Sequence, residues 1–193
     1  MVRAQAGLRE RKKVATREAL HEAALRLAVE QGIERVTVEA IADAAMVSRR
    51  TFSNYFSSKE EAFVHGDLER VRRLLELVHD RPVAEGAWTA LERALAEFAA
   101  VEPDPRLVAR RREVSRHPTL LPYQLAVYAT VERELAAEVA RRLPDDADAP
   151  LRSRVIAATF LTALRLAVQQ WTERPGESLS AVTGRALSYV PRA

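Results

Sequence analysis

Cysteine is absent from the 193 residues, which removes disulfide scaffolds, thiolate metal sites and cysteine nucleophiles together. Glycine is scarce, and the six present form no phosphate-binding loop, dinucleotide fingerprint or Gly-x-Ser-x-Gly elbow. There is no HExxH pair, and His21, His65, His79 and His117 are too scattered for a metal set. Nothing therefore argues for catalysis, a metal or a cofactor. The N-terminus, MVRAQAGLRERKK, lacks the apolar run of a secretory leader. The most apolar stretch, residues 155–171, is interrupted by Arg165, Gln169 and Gln170, which is short and polar for a membrane span. A cytoplasmic protein without a membrane partner is expected.

Also missing is any convincing period-two alternation, and Pro and Gly fall between helical patterns rather than between strands. The expected fold is all-α, with about nine helices. Residues 1–8 carry little pattern and read as a mobile tail. Helical spacing then runs over 9–31, with Leu20, Ala23, Ala24, Leu27 and Ala28, and stops at Gly32, a residue suited to a left-handed helix end. Thr37 precedes a second pattern as its N-cap and Ser48 precedes a third. Ser58 and Glu61 form a capping box that opens a fourth helix reaching about His79. Further helices are expected at 88–101, 106–116, 120–143 and 151–172, with a last one from Leu179. The boundary expected between an N-terminal domain and a larger C-terminal one lies at 58/59, giving domains of 1–58 and 59–193.

At 48 % apolar and 30 % charged the composition is that of a soluble globular protein, and the formal charge is only +3. Its placement is uneven. The first 60 residues hold eleven Lys/Arg against eight Asp/Glu, and the remaining 133 balance at nineteen each. Within the first 60 the excess sits at residues 1–17 and again at 46–59, where Arg49, Arg50 and Lys59 meet no acid. Such localisation favours a polyanion over a merely solvated face. Arg9, Arg11, Lys12 and Lys13 fit either a solvated helix start or a DNA-touching arm. Arg106, Arg110, Arg111, Arg112 and Arg116 form a second cluster, read as a solvated face ahead of an anionic-ligand site.

Residues 36–59 read as a helix, a tight turn and a second short helix. Phe52 and Phe56 anchor the second helix, leaving Arg49, Arg50, Thr51 and Asn54 to project. Arg suits guanine or phosphate, Asn suits adenine or phosphate, and the Thr methyl suits thymine. Thr37, Ser48, Tyr55 and Lys59 lie at helix starts or edges, where amides and hydroxyls meet phosphate oxygens.

This stretch resembles the DNA-binding domain of the TetR family of bacterial transcriptional regulators. The resemblance rests on Gly32, on Thr37-Val38-Glu39-Ala40-Ile41-Ala42, on Val47-Ser48-Arg49-Arg50-Thr51-Phe52, and on Tyr55-Phe56-x-Ser58-Lys59-Glu60, and covers about residues 12–63. It implies a homodimeric regulator with a helical ligand-binding and dimerisation domain. It also implies DNA contacts through Ser48, Arg49, Arg50, Thr51, Asn54 and Tyr55, and phosphate contacts through Thr37 and Lys59. Departures are Met46, where the family usually has Gly, and Ala28, where a large aromatic is usual. Ser53 and Asn54 replace larger aromatic or His side chains. A Met held at positive φ would be strained by about 1 kcal/mol.

A single reading head covers few base pairs, so two half-sites about 34 Å apart are normally read by a dimer. Residues 155–171 are apolar nearly all round, so Phe160, Leu164, Val168 and Trp171, with Val182 and Ala186 on the last helix, are the candidate interface; a core within one chain is the alternative. Trp88, Phe98, Tyr123, Tyr128 and Phe160 either line a pocket for a small-molecule effector or are plain core. The expected function is a TetR-like one-component regulator, a repressor that binds operator DNA as a dimer and is released by an effector. The alternative is a helical-bundle ligand-binding or interaction protein that keeps the fold without operator recognition.

Overall fold

The computed structural model describes residues 2–101, 105–173 and 176–191, with side chains left undescribed at 2–6, 105–107, 109, 112 and 172. These residues form nine α-helices and one 3-10 turn, and no β-strand occurs among them. The helices are α1 (Val2–Gln31), α2 (Val38–Ala44), α3 (Arg49–Ser53), α4 (Lys59–His79), α5 (Ala87–Ala100), α6 (Pro105–Ser115), α7 (Leu121–Ala140), α8 (Ala149–Glu173) and α9 (Leu179–Ser188), with the 3-10 turn at Pro118–Leu120 before α7. No helix among the described residues is long and apolar enough to cross a membrane.

The first helix begins at Val2, so residues 2–8 are helical where the sequence pattern suggested a tail. Apart from Gly7 they are adequate helix formers, and local bonds extend the helix without tertiary support. Arg11 Nε donates to the Gly7 carbonyl at 3.2 Å and Thr16 Oγ1 to the Lys12 carbonyl at 2.9 Å. Hydrophobic periodicity registers only the half of such a helix that is packed.

The chain divides into two compact units. The first comprises residues 1–68 and 106–124, and the second 69–105 and 125–193. The division therefore falls within α4 and returns α6 to the N-terminal unit, whereas the sequence pattern changes at 58/59. In the first unit Leu20, Ala24 and Leu25 of α1, Ile41 of α2, and Phe52 of α3 are essentially inaccessible to water, and Phe56 just after α3 is 3 % exposed. Ala28 is buried at the position where a larger residue was expected, and Phe52, Phe56 and Phe63 supply the bulk of the core around these helices. Each buried Phe contributes roughly 1.5–3 kcal/mol relative to exposure. In the second unit Leu74, Val78, Leu91, Leu95, Val131, Leu135, Val139 and Phe160 form one core.

Helix ends follow the sequence closely. Gly32, at φ +86, donates its N–H to Ala28 O at 2.9 Å and closes α1. The end of α4 is closed by a distant residue: Arg142, 1 % exposed in its side chain, donates to the Val78 and Arg81 carbonyls at 2.7 and 3.0 Å. The Val78 carbonyl also accepts the Arg81 N–H at 3.3 Å, so the guanidinium fastens the helix end to the turn just beyond it.

The end of α2 carries strain. Val47 N–H bonds Ala42 O at 2.9 Å and Met46 N–H bonds Asp43 O at 3.0 Å, the two bonds of a Schellman closure. The closure needs a left-handed residue, and Met46 stands there at φ 55 with its side chain 92 % exposed. The thioether thus gains no packing to offset the steric cost of its Cβ. Met46→Gly is expected to stabilise the fold by about 0.5–1 kcal/mol, read as a higher midpoint in chemical denaturation; a lower midpoint would show that the strain is not there.

Candidate nucleic-acid interface

Three caps build the interface. Thr37 Oγ1 accepts the Ala40 N–H at 3.1 Å and starts α2. Ser48 Oγ accepts the Thr51 N–H at 3.1 Å and lies 2.9 Å from Thr51 Oγ1, so the start of α3 is held by two coupled hydroxyls. Ser58 Oγ accepts the Glu61 N–H at 3.2 Å and starts α4. The Glu61 carboxylate completes the turn by accepting from Ser57, N–H and hydroxyl, both at 2.7 Å, instead of returning to Ser58. With Phe52 1 % exposed beneath it, α3 is fixed on its inner side and free on its outer one.

The outer side carries most of the expected groups. Ser48, Arg49, Arg50 and Asn54 are exposed, Thr51 is partly buried, and Thr37 is exposed at the start of α2. Arg49 Nε pairs with Glu39 at 3.1 Å, both side chains remaining largely in water. Tyr55 is half-buried, with the Arg17 guanidinium 5.9 Å from its ring centroid and 5.8 Å from that of Phe56. Arg17 Nη2 also donates to the Tyr55 carbonyl at 3.4 Å, so α1 holds the C-terminal end of α3 through a cation.

Lys59 departs from expectation. Its ammonium donates to the Ile33, Glu34 and Val36 carbonyls at 3.1, 3.3 and 2.8 Å, which uses all three of its protons on the α1–α2 turn. Its side chain braces that turn and is not presented to a phosphate. Sequence spacing cannot reveal this, because three carbonyls converge only once the turn has folded.

Behind the interface, α6 inserts a charge. Arg111 Nη2 lies 3.4 Å from His21 Nε2, and His21 Nδ1 lies 2.7 Å from the Ala62 carbonyl. The carbonyl requires the proton on Nδ1, so Nε2 offers its lone pair to the guanidinium. The ring of His65 stands edge-on to His21 at 5.7 Å. Gly66 makes room: a Cβ there would lie 2.4 Å from both Arg111 Nη2 and His21 Nε2. Burial, opposed by the Ala62 bond and aided by the Arg111 and His65 charges, brings the His21 pKa down to about 4. Arg111 was grouped in sequence with a solvated basic face; it is instead turned inward. Arg110 and Arg116 are exposed, and the side chains of Arg106 and Arg112 lie outside the described residues. Arg17 carries no motif that would have singled it out, while His21, Glu39 and Arg111 were visible only as a scattered histidine, one residue of the Thr37-Val38-Glu39 stretch and one member of a basic cluster.

Two patterns within the chain match those of known proteins. Residues 20–64 match bacterial regulatory proteins of the tetR family, and residues 85–193 match the MftR C-terminal domain. The HTH-type transcriptional regulator TcmR of Streptomyces glaucescens is 34 % identical over 185 residues, spanning 92 % of this chain and 82 % of TcmR. The chain belongs to the TetR family of bacterial transcriptional regulators. The fold agrees with solved structures of similar length. The SmeT–triclosan complex superposes with a TM-score of 0.57 at 17 % identity, covering 93 % of this chain and 96 % of SmeT. The fatty acid degradation regulator FadR of Bacillus halodurans gives 0.56 at 18 % identity, covering 89 % and 92 %.

Most of the candidate pocket and interface residues lie in the second unit. Trp88 stands edge-on to Phe160 at 6.3 Å, and its indole N–H is buried with no hydrogen-bond partner among the described residues. Phe98 lies under the Arg70 guanidinium at 5.7 Å, and Tyr128 is half-buried. Tyr123 belongs to the first unit, apart from the other four. Phe160 is fully buried within the core and Leu164 is 8 % exposed, so neither is available to a partner subunit. Val182 is 3 % exposed, whereas Val168, Trp171 and Ala186 are half-buried. The outer side of α8 and α9 is an open groove lined by the expected Val182 and Ala186 together with Ala158, Leu166, Arg185 and Tyr189, with Leu166 half exposed and Tyr189 more so. An all-round apolar helix shows no side in its spacing; Phe160, Leu161 and Leu164 turned inward, while Val155 and Leu166 stayed exposed.

Proposed function

We propose that this regulator is a repressor that binds operator DNA as a homodimer and leaves it when a small molecule binds the second unit. The observation that carries the reading is the capped, Phe-anchored α3 with Arg49, Arg50 and Asn54 exposed on its outer side. Residues 1–58 form the reading head, with Thr37, Ser48, Thr51 and Tyr55 flanking the three projecting groups. Residues 59–193 hold the effector and the partner subunit. The small and apolar side chains along the α8–α9 groove suit a self-complementary contact. Trp88, beside Phe160, offers a buried donor with no partner among the described residues, which suits an apolar effector bearing one acceptor. That SmeT is solved with triclosan supports a small molecule as the effector class.

The test uses the full chain and a duplex from the DNA upstream of its coding region. Titration by fluorescence anisotropy at two salt concentrations, against a random duplex of equal length, should show a preference of 10³-fold or more. Sedimentation should give a dimer. Equal affinity for the two duplexes, or a monomer at micromolar concentration, would overturn the reading.

A further inference from the structure

We infer that Glu39 is a specificity-determining residue, one that turns Arg49 from a phosphate contact into a base contact. The inference rests on the DNA-reading role of α3 and extends it to a residue on α2.

Arg49 is the first residue of α3 and Arg50 the second, and α3 has no acid in its first turn. Two cations there oppose the positive end of the helix dipole. Glu39 supplies the absent carboxylate from the neighbouring helix, 3.1 Å from Arg49 Nε. It is free to do so because Thr37 Oγ1 already caps the first turn of α2. The pair lies in water, with side chains 72 % and 56 % exposed, so it contributes little to folding. Its consequence is for recognition.

The atom that Glu39 engages matters. A guanidinium held at Nε keeps both Nη groups for a second partner, so Arg49 can present its terminal edge to the O6 and N7 acceptors of guanine. Guanine carries no net charge, so its O6 and N7 edge is repelled by the adjacent carboxylate far less than a phosphate is. A phosphate is repelled, and the Arg49–Glu39 pair as a unit has no net charge with which to displace counterions. Glu39 therefore lowers affinity for any backbone while sparing the base contact. Arg50 has no ion-pair partner among the described residues and keeps its full charge for phosphate.

The experiment compares the wild-type regulator with Glu39→Gln on the upstream duplex and on a random duplex, each across a salt series. Gln keeps the length and a weak acceptor while removing the charge. Affinity for random DNA is expected to rise by up to about fivefold per half-site. The slope of log affinity against log salt should steepen by about 1 per protomer. The preference for the upstream duplex should fall. In an Arg49→Ala background the preference for the upstream duplex should no longer respond to the same substitution, which separates the pairwise effect from a general change in surface charge. An unchanged slope and preference in Glu39→Gln, or the same fall in preference with Arg49 absent, overturns the inference. If Arg49→Ala with Arg50→Ala leaves binding to the upstream duplex intact, the DNA-reading role itself has failed, and this inference with it.

Discussion

Replacing Arg49 and Arg50 together by alanine should reduce affinity for operator DNA to the level of random DNA, a loss of 10³-fold or more. A bidentate arginine–guanine contact carries about 1–3 kcal/mol of discrimination, and a phosphate contact adds charge neutralisation. One such base contact in each half of a dimer sums to about 2–6 kcal/mol, which reaches into the interval between specific and non-specific binding, and the lost Arg50 phosphate contacts add to the fall in affinity. Folding should be unaffected. Both residues are exposed, and α3 is held by Phe52, Phe56 and the Ser48 cap, none of which the substitutions touch. The melting midpoint should therefore stay within about 0.5 kcal/mol of wild type. Binding measured by anisotropy, with melting by circular dichroism on the same samples, separates the two. Retained discrimination in the double variant would place the reading residues elsewhere.

The reading head was the most legible part of the chain because its determinants are local. Thr37, Ser48 and Ser58 cap helices because hydroxyl and amide are two or three residues apart, and Gly32 and Met46 sit at helix ends whose geometry demands positive φ. Each of these follows from short-range sequence. The residues misplaced by sequence depend on long-range convergence. Lys59 reaches a turn more than twenty residues earlier, and Arg111 finds His21 ninety residues away. Phe160 was equally suited to core or interface until the packing of α5 and α9 beside α8 decided the matter. The capping box at Ser58 shows the limit in miniature. Glu61 was correctly placed to accept a bond, but the donor is one residue earlier than the motif specifies.

The second large effect is acid sensitivity centred on His21. Its folded pKa of about 4 lies below the value of about 6.5 expected in the unfolded chain, so the unfolded state takes up the proton first. Stability is then constant above about pH 7, declines as the pH falls from about 6.5, and has lost the whole contribution below about 4. The total is on the order of 3 kcal/mol, from a gap of about 2.5 pH units. Protonation would place a proton on Nε2, facing the Arg111 guanidinium with no lone pair left to accept its N–H. The groups around the site are Glu22 on α1, His65 and Asp67 on α4, and Arg111 on α6. His21→Asn isolates the effect, since the Asn amide can replace Nδ1–H towards the Ala62 carbonyl but does not titrate in this range. Denaturation midpoints between pH 4 and 7 should decline less steeply in this variant than in wild type. Arg111→Ala removes one opposing charge and part of the cover, so the wild-type decline should persist in that variant with its lower limit shifted to higher pH. Identical slopes in wild type and His21→Asn would show that the imidazole is not the group being protonated. The decline would then belong to other groups in the fold, but not to Glu85, held down to about 2 by its hydrogen bond to Arg81. That carboxylate titrates well below the window in which His21 acts, so the two contributions separate along the pH axis.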